Sequence, residues 1–66
     1  MKLTPRQKQV LWLLVTCKTN RQIALDLGIS EQTVKNHLRN MYDRMDVCSR
    51  LEAVMKAIRL GIVKIA

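Results

Sequence analysis

Phenylalanine is absent from this 66-residue sequence, and glycine and proline together supply only three residues. Residues with β-branched side chains, which favour strands, are scattered. No alternation of apolar and polar residues is long enough to indicate a strand. The three glycine and proline residues fall where helix boundaries are expected. The sequence therefore predicts an all-α fold in a single domain.

Metal-binding and cross-linking residues are also scarce, since the sequence holds only Cys17, Cys48 and His37. A structural zinc site needs four ligands, and two cysteines do not make a disulfide framework. We therefore expect no metal, no cofactor and two reduced thiols. A chain this short has a small hydrophobic core. Because neither a disulfide nor a metal site stabilises it, we expect a dimer partner.

The residue patterns of enzymes and membrane proteins are missing as well. There is no paired set of carboxylates, no glycine-rich phosphate loop and no nucleophile with an oriented base, so no catalytic residue is predicted. The longest apolar run, Val10 to Val15, is far short of the roughly 20 residues that span a bilayer, and no signal peptide fits. We expect a cytoplasmic, nucleoid-associated protein that is not an enzyme.

Positive charge is in excess, with 12 Lys and Arg against 5 Asp and Glu and a net charge of +7. Such a balance is typical of proteins that bind polyanions, nucleic acid above all. Solubility alone is the alternative explanation. Charge by itself does not distinguish DNA, RNA and membrane partners.

Capping patterns predict four helices, over about 4–16, 20–27, 30–45 and 49–60. Thr4, Pro5 and Gln7 form a capping-box start for the first helix, and Asn20 is the expected cap of the second. Gly28 is expected to end the second helix because glycine tolerates the left-handed conformation. Ser30 is the expected cap of the third helix, and a second capping box, Ser49 to Glu52, opens the fourth, which ends at Gly61.

The second and third helices, joined by a short glycine-containing turn, form a helix-turn-helix pattern. In that arrangement the second of the two helices lies in the DNA major groove. At 100° per residue, four polar side chains of the third helix fall within about 100° of one another, opposite Val34, Leu38 and Met41. These candidate base-contacting residues are Gln32, Lys35, Asn36 and Arg39, whose chemistry suits guanine and adenine edges. The alternative is an ordinary solvated face.

Phosphate contacts use hydroxyls, amides, cations and helix N-termini. The candidates at the starts of the second and third helices are Lys18, Thr19, Asn20, Arg21, Thr33 and His37. Thr19 and Asn20 could instead simply cap a helix, and His37 could simply pack at the boundary of the core.

The segments LTPRQKQVL, NRQIA, LGIS, TVKNH and SRLEAV together resemble the DNA-binding domain of LuxR/FixJ/NarL-type transcription regulators, also called the GerE-like domain. The resemblance covers nearly the whole chain. It implies a bacterial four-helix domain that binds double-stranded DNA as a dimer, with the third helix reading bases and the fourth making the dimer contact. By this resemblance Lys35, Asn36 and Arg39 match base-facing positions. Phosphate contacts are implied at Thr19, Asn20, Thr33 and His37.

Three features depart from that pattern. Family members often have glycine where this sequence has Cys17, so the first helix is expected to close differently. Gln9 and Gln22 replace common acidic residues, which removes possible internal ion pairs. Only Met1 and Lys2 precede the domain, so we expect a stand-alone member with no regulatory input readable from this chain.

The fourth helix carries two apolar stripes, whereas a surface helix of a monomer needs only one. We assign the stripe of Ala53, Val54, Ala57 and Leu60 to the core. The second stripe lies roughly 140° away and is the candidate homodimer contact. Its members are Leu51, Met55 and Ile58. The alternative is that the tail, 62–65, folds back over this stripe.

Trp12 is expected on the outer side of the first helix, where it could contact RNA polymerase or another regulator or be covered by its neighbours. We predict a sequence-specific DNA-binding transcription regulator that prefers an inverted-repeat operator. The alternative is a truncated, regulator-like interaction protein that antagonises a longer regulator or binds RNA polymerase. RNA binding is disfavoured because exposed aromatic platforms are lacking.

Overall fold

The computed structural model describes residues 2–63, and these residues form four α-helices and no strand. The helices are α1 (Pro5–Val15), α2 (Asn20–Leu27), α3 (Glu31–Met45) and α4 (Arg50–Arg59). This confirms the predicted all-α, four-helix class. The expected ranges for α1, α3 and α4 were longer by the capping residues, which lie just outside each helix.

Capping boxes begin the first two helices. The Thr4 hydroxyl accepts from the Gln7 N–H over 3.1 Å, and the Gln7 side chain accepts from the Thr4 N–H over 3.0 Å. Thr19 and Gln22 make the same reciprocal pair at α2, with distances of 2.9 and 3.2 Å. The expectation that Asn20 caps α2 was therefore wrong by one residue, because Thr19 has the extended backbone of a cap and Asn20 is already helical.

Ser30 caps α3 as expected, accepting from the Thr33 N–H over 3.1 Å. Ser49 likewise accepts from the Glu52 N–H over 3.2 Å. The Glu52 carboxylate, however, accepts from the backbone N–H of Cys48 over 2.7 Å. The predicted capping box at α4 was therefore only half right. The Glu52 carboxylate accepts from the N–H of Cys48 instead of from the N–H of Ser49.

A left-handed residue follows each of the four helices of residues 2–63: Cys17, Gly28, Asp46 and Gly61. Cys17 has φ of 66°, and its N–H donates to the Leu14 carbonyl over 3.1 Å. The next N–H, of Lys18, donates to the Leu13 carbonyl over 3.3 Å, which completes a Schellman motif. The expectation that α1 closes differently from a glycine-ended helix was wrong, because the cysteine adopts the conformation that glycine favours.

The core lies around α3, which packs against α1, α2 and α4. Its apolar side places Val34, Leu38, Met41 and Met45 in the interior, as the helical spacing predicts. The other buried apolar residues are Leu3, Val10, Leu11, Leu14, Ile23, Ala24, Ala53, Ala57 and Val63. This packing leaves the opposite side of α3 free of the rest of the described chain.

One residue of the expected α4 core stripe lies outside the core, since Leu60 is 53% exposed. Leu60 is the C-cap that follows the last helical residue, Arg59, and its backbone is still in the right-handed helical region. The chain then turns, and Ile62 and Val63 pack against the core, with the Ile62 N–H donating to the Ala57 carbonyl over 2.9 Å. The rest of the predicted covering tail, 64–65, lies outside the described residues.

Candidate nucleic-acid interface

A tight turn presents the N-terminal half of α3. Gly28 has φ of 67° and ends α2, and the Ile29 N–H donates to the Ala24 carbonyl over 3.0 Å. Ser30 then caps α3 with extended backbone. Glycine adopts this left-handed conformation without the strain that a residue with a Cβ would have there.

The exposed side of the first turns of α3 carries the four predicted base-contacting residues. This reading face consists of Gln32, Lys35, Asn36 and Arg39, all exposed. Gln32 Nε2 donates to Asn36 Oδ1 over 3.2 Å, so the two amides hold each other on the surface. The reading face combines two cations with amide hydrogen-bond donors and acceptors. The edges of DNA bases carry complementary acceptors and donors.

One flank of the reading face adjoins the starts of α2 and α4. Lys35 and Arg39 share a surface depression of about 390 Å³ with Asn20, Tyr42 and Arg50. Burial raises the pKa of the Tyr42 phenol, and the nearby Arg50 guanidinium opposes that rise. The phenol is therefore neutral at physiological pH, and this flank carries three cationic side chains.

Arg50 lies beside the reading face but was not among the residues predicted from the sequence. Its guanidinium donates to the carbonyl of Lys18, 32 residues away in sequence, and so ties the start of α4 to the loop before α2. A cation in the first turn of a helix opposes the helix dipole, but this does not identify its hydrogen-bond partner. Arg6 and Arg21 also lie in first turns, and both are exposed.

Lys18, predicted to contact phosphate, is already paired. Its Nζ lies 2.5 Å from Asp26 Oδ2, and the two side chains are 38% and 41% exposed. An anion approaching Lys18 would therefore compete with a carboxylate. Asn20 and Arg21 at the same end carry no such ion pair among the described residues.

The other flank of the reading face adjoins the start of α1. Half-buried His37 shares a depression of about 520 Å³ with Arg6 and Arg44, which the sequence analysis did not single out. Arg44 Nη1 donates to the Lys2 carbonyl over 3.0 Å. The Thr33 hydroxyl lies 2.8 Å from the Ser30 hydroxyl, so its hydrogen-bonding capacity is shared with the cap. Cations thus lie on both sides of the reading face, although the depression on this side also contains the carboxylate of Asp43.

Apolar side chains remain exposed elsewhere in residues 2–63. The α4 patch consists of Leu51, Met55 and Ile58, which are 67%, 62% and 41% exposed. Trp12 on α1 is half exposed, on the outer side of the helix as expected. Among the described residues no helix is long and apolar enough to cross a membrane, and no cluster of side chains has the make-up of a metal site.

Comparisons with known proteins agree on one family. The family model described as bacterial regulatory proteins, luxR family, matches residues 1–57. The spore germination protein GerE of Bacillus subtilis (strain 168) is 44% identical over 59 residues, which are 89% of this chain and 80% of that protein. The transcriptional regulatory protein DegU of Brevibacillus brevis is 44% identical over 63 residues, 96% of this chain but 27% of that protein.

A solved structure has the same fold. The response regulator ChrA of a heme-sensing two-component system superimposes with a TM-score of 0.89 at 35% identity. The match covers 96% of this chain and 31% of ChrA. This chain therefore spans most of GerE but less than a third of DegU and of ChrA.

Proposed function

Because this chain belongs to the luxR family of bacterial regulatory proteins, whose helix-turn-helix domain binds DNA, we propose that it is a sequence-specific transcription regulator. Two copies act on double-stranded DNA in the bacterial cytoplasm, each with α3 in the major groove. The observation that carries this proposal is the reading face, an exposed set of amides and cations with further cations on both flanks.

The four side chains of the reading face are proposed to contact bases. Lys35 and Arg39 carry only donors, which suit the two acceptors of guanine, whereas the amides of Gln32 and Asn36 suit adenine. All four lie in the first three turns of α3, the part of a recognition helix that reaches base edges. Asp43 shares this side of the helix but lies a turn further on, where the helix leaves the groove.

Phosphate contacts are proposed on both flanks. Asn20 and Arg21 supply side chains at the α2 N-terminus, a favourable place for an anion, and Thr19 supplies a hydroxyl that also accepts from the Gln22 N–H. Thr33 and His37 serve the other flank. Lys18 contributes less than expected from sequence, because Asp26 must first be displaced from its ammonium. Arg50 and Arg6 are added to the proposed set on the strength of their positions.

Dimerisation is proposed through the α4 patch. Burying three such side chains stabilises a dimer by about 1.5–3 kcal/mol each, so roughly 5–9 kcal/mol per chain is an upper bound. Association itself costs about 4–15 kcal/mol. We therefore propose a weak dimer in solution that is completed on an operator with inverted-repeat symmetry.

A second function is favoured by one observation, the exposed Trp12. Large aromatic side chains are enriched in protein interfaces, so Trp12 could bind RNA polymerase or another regulator. A truncated, antagonistic interaction protein would need Trp12 or the α4 patch but not the cations of α3. Loss of DNA binding together with retained binding to a longer regulator would favour this alternative.

An electrophoretic mobility shift series on random and selected duplexes tests the main proposal. Wild-type protein should bind duplexes, with log K falling by about 0.9 per phosphate contacted for each unit of log salt. Arg39→Ala should cost about 1–3 kcal/mol on the best site and relax the preference at one base pair. An equal loss on every duplex would instead make Arg39 a phosphate contact, and no binding by folded wild-type protein at low salt would contradict the proposal.

A further inference from the structure

Met55 lies in the middle of the exposed side of α4 and has unlike neighbours on its two sides. At 100° per residue, Leu51 and Ile58 lie about 40–60° to one side of it, one turn away along the helix. Glu52 and Arg59 lie about 40–60° to the other side. All five residues are exposed. The exposed side of α4 therefore has an apolar edge, Leu51 and Ile58, and a charged edge, Glu52 and Arg59.

A surface depression adjoins the apolar edge. It has a volume of about 410 Å³ and lies between the end of α1 and the first turns of α4. The residues that line it are Leu14, Val15 and Cys17 from the end of α1 and Arg50, Leu51 and Val54 from α4. An apolar side chain that entered this depression would be removed from water by both helices.

A second depression, of about 380 Å³, adjoins the charged edge, where Asp46 and Glu52 face Lys56 and Arg59. The Lys56 ammonium is already engaged, since it donates to a backbone carbonyl at the end of α3 over 2.6 Å. Glu52 Oε2 accepts from the backbone N–H of Cys48 over 2.7 Å, which holds the carboxylate in place and leaves Oε1 able to accept from a cation. Arg59 is exposed and lies about 10 Å further along the same helix.

Two-fold symmetry allows two ways to pack this side of α4 on its own copy. If the helices were parallel, the apolar edge of each copy would face the charged edge of the other. If they are antiparallel and Met55 lies at the axis, each edge faces the same edge of the other copy. Position 51 then meets position 58, and position 52 meets position 59, each offset by only about 1.5 Å along the helix. Only the antiparallel arrangement places apolar groups against apolar groups and carboxylates against guanidinium groups.

We propose that two copies of this chain pair through antiparallel α4 helices with Met55 at the two-fold axis. In this arrangement Ile58 enters the apolar depression of the partner subunit, and Glu52 accepts from Arg59 of the partner subunit. A second copy is the occupant that fits, because each edge complements itself in polarity and charge. The inference rests on the proposed dimer and adds its orientation, two ion pairs and a contact with α1.

Disulfide cross-linking of the full chain tests the orientation. In a Cys17→Gly and Cys48→Ser background, Met55→Cys should form a covalent dimer on mild oxidation, because a residue at the axis faces its own copy. A disulfide needs Cα atoms within about 7 Å of each other. Leu51→Cys and Ile58→Cys lie about 9–12 Å along the helix from their own copies and should cross-link little alone. Mixed in equal amounts, these two variants should cross-link to each other.

Charge reversal tests the ion pairs independently. Glu52→Arg and Arg59→Glu should each weaken the dimer by about tenfold, because two exposed ion pairs become two like-charge contacts. The double variant should return to within about threefold of the wild-type dissociation constant, since it restores both pairs with exchanged signs. Lys2→Glu is the control for net charge, because Lys2 is exposed and lies outside α4. Sedimentation measures the dimer, and circular dichroism checks that each variant is folded.

Two outcomes would overturn the inference while leaving DNA binding and dimerisation in place. In the first, Leu51→Cys and Ile58→Cys each cross-link to their own copies as readily as Met55→Cys, which is the pattern of a parallel pair. In the second, the effects of Glu52→Arg and Arg59→Glu simply add in the double variant, so the two residues do not meet. A folded protein that stays monomeric both alone and on an inverted repeat would instead contradict the proposed dimer itself, and the inference with it.

Discussion

Helices α3 and α4 each bury one side in the same core and leave the other side exposed, but the exposed sides differ in kind. The reading face of α3 holds only amides and cations, whereas the α4 patch is wholly apolar. A polar, cationic surface gains by meeting a charged and hydrogen-bonding partner. An apolar surface is stabilised by removal from water. Packing against a second copy of the same helix would remove it from water.

The comparison indicates how a domain of 66 residues with a small core can present two exposed faces of different chemistry. Neither exposed side is needed to fill the core, because small residues such as Ala53 and Ala57 let α4 pack closely on its inner side. Changes on one exposed face should therefore leave the fold and the other face intact. The following predictions test that independence, beginning with the largest effect.

Met55→Glu should weaken dimerisation by at least about a hundredfold, since it places a charge in an interface that excludes water. Binding to an inverted repeat should fall, while binding to a single half-site stays as in wild type. Leu25→Glu is the matched control, because Leu25 is 74% exposed, compared with 62% for Met55, but lies on α2. Sedimentation of the three proteins measures the effect, and an unchanged monomer–dimer equilibrium in Met55→Glu would remove the α4 patch from the dimer.

Asp26→Asn should strengthen DNA binding several-fold at low salt, because it frees the Lys18 ammonium for a phosphate. The slope of log K on log salt should steepen by up to about 0.9, the value for one more phosphate contact. An exposed ion pair contributes only about 0–1 kcal/mol to folding, so the fold should be unaffected. Lys18→Ala combined with Asp26→Asn should show no such gain, and a gain that persists there would assign the effect to another cation.

Cys17→Gly should stabilise the domain by about 1 kcal/mol, because the left-handed conformation costs a residue with a Cβ about 1–2 kcal/mol. Thermal unfolding should show a rise of roughly 4–8 °C in a domain of this size. Asp46→Gly should gain less, since aspartate tolerates that conformation better. Dimer strength and DNA affinity of the folded protein should not change, and a loss of either would tie the end of α1 to an interface.

Most of the correct predictions came from capping and apolar patterns between residues that are close in sequence. The Thr4–Gln7 box, the Ser30 cap and the buried positions of α3 follow from spacings within one or two helical turns. The all-α fold follows from the same spacings. The roles of the reading face and of the α4 patch stay predictions.

The features that the sequence did not predict depend on contacts between distant residues or on backbone conformations that the rest of the fold imposes. Arg50 and Lys18 are 32 positions apart, so nothing local indicates their hydrogen bond. Cys17 is left-handed although its own preference opposes this, because the chain must turn sharply to begin α2. Leu60 follows the apolar pattern of α4 but lies beyond the helix end.

The hydrogen bond from Arg50 to the Lys18 carbonyl has a mechanical consequence. It clamps the base of the helix proposed to join two copies onto the loop that leads into α2, the first helix of the helix-turn-helix. If two copies pair through the α4 patch as proposed, we expect this contact to limit how far the two α3 helices can move relative to each other. We expect such a protein to bind only one spacing between half-sites and to reject half-sites moved by a single base pair.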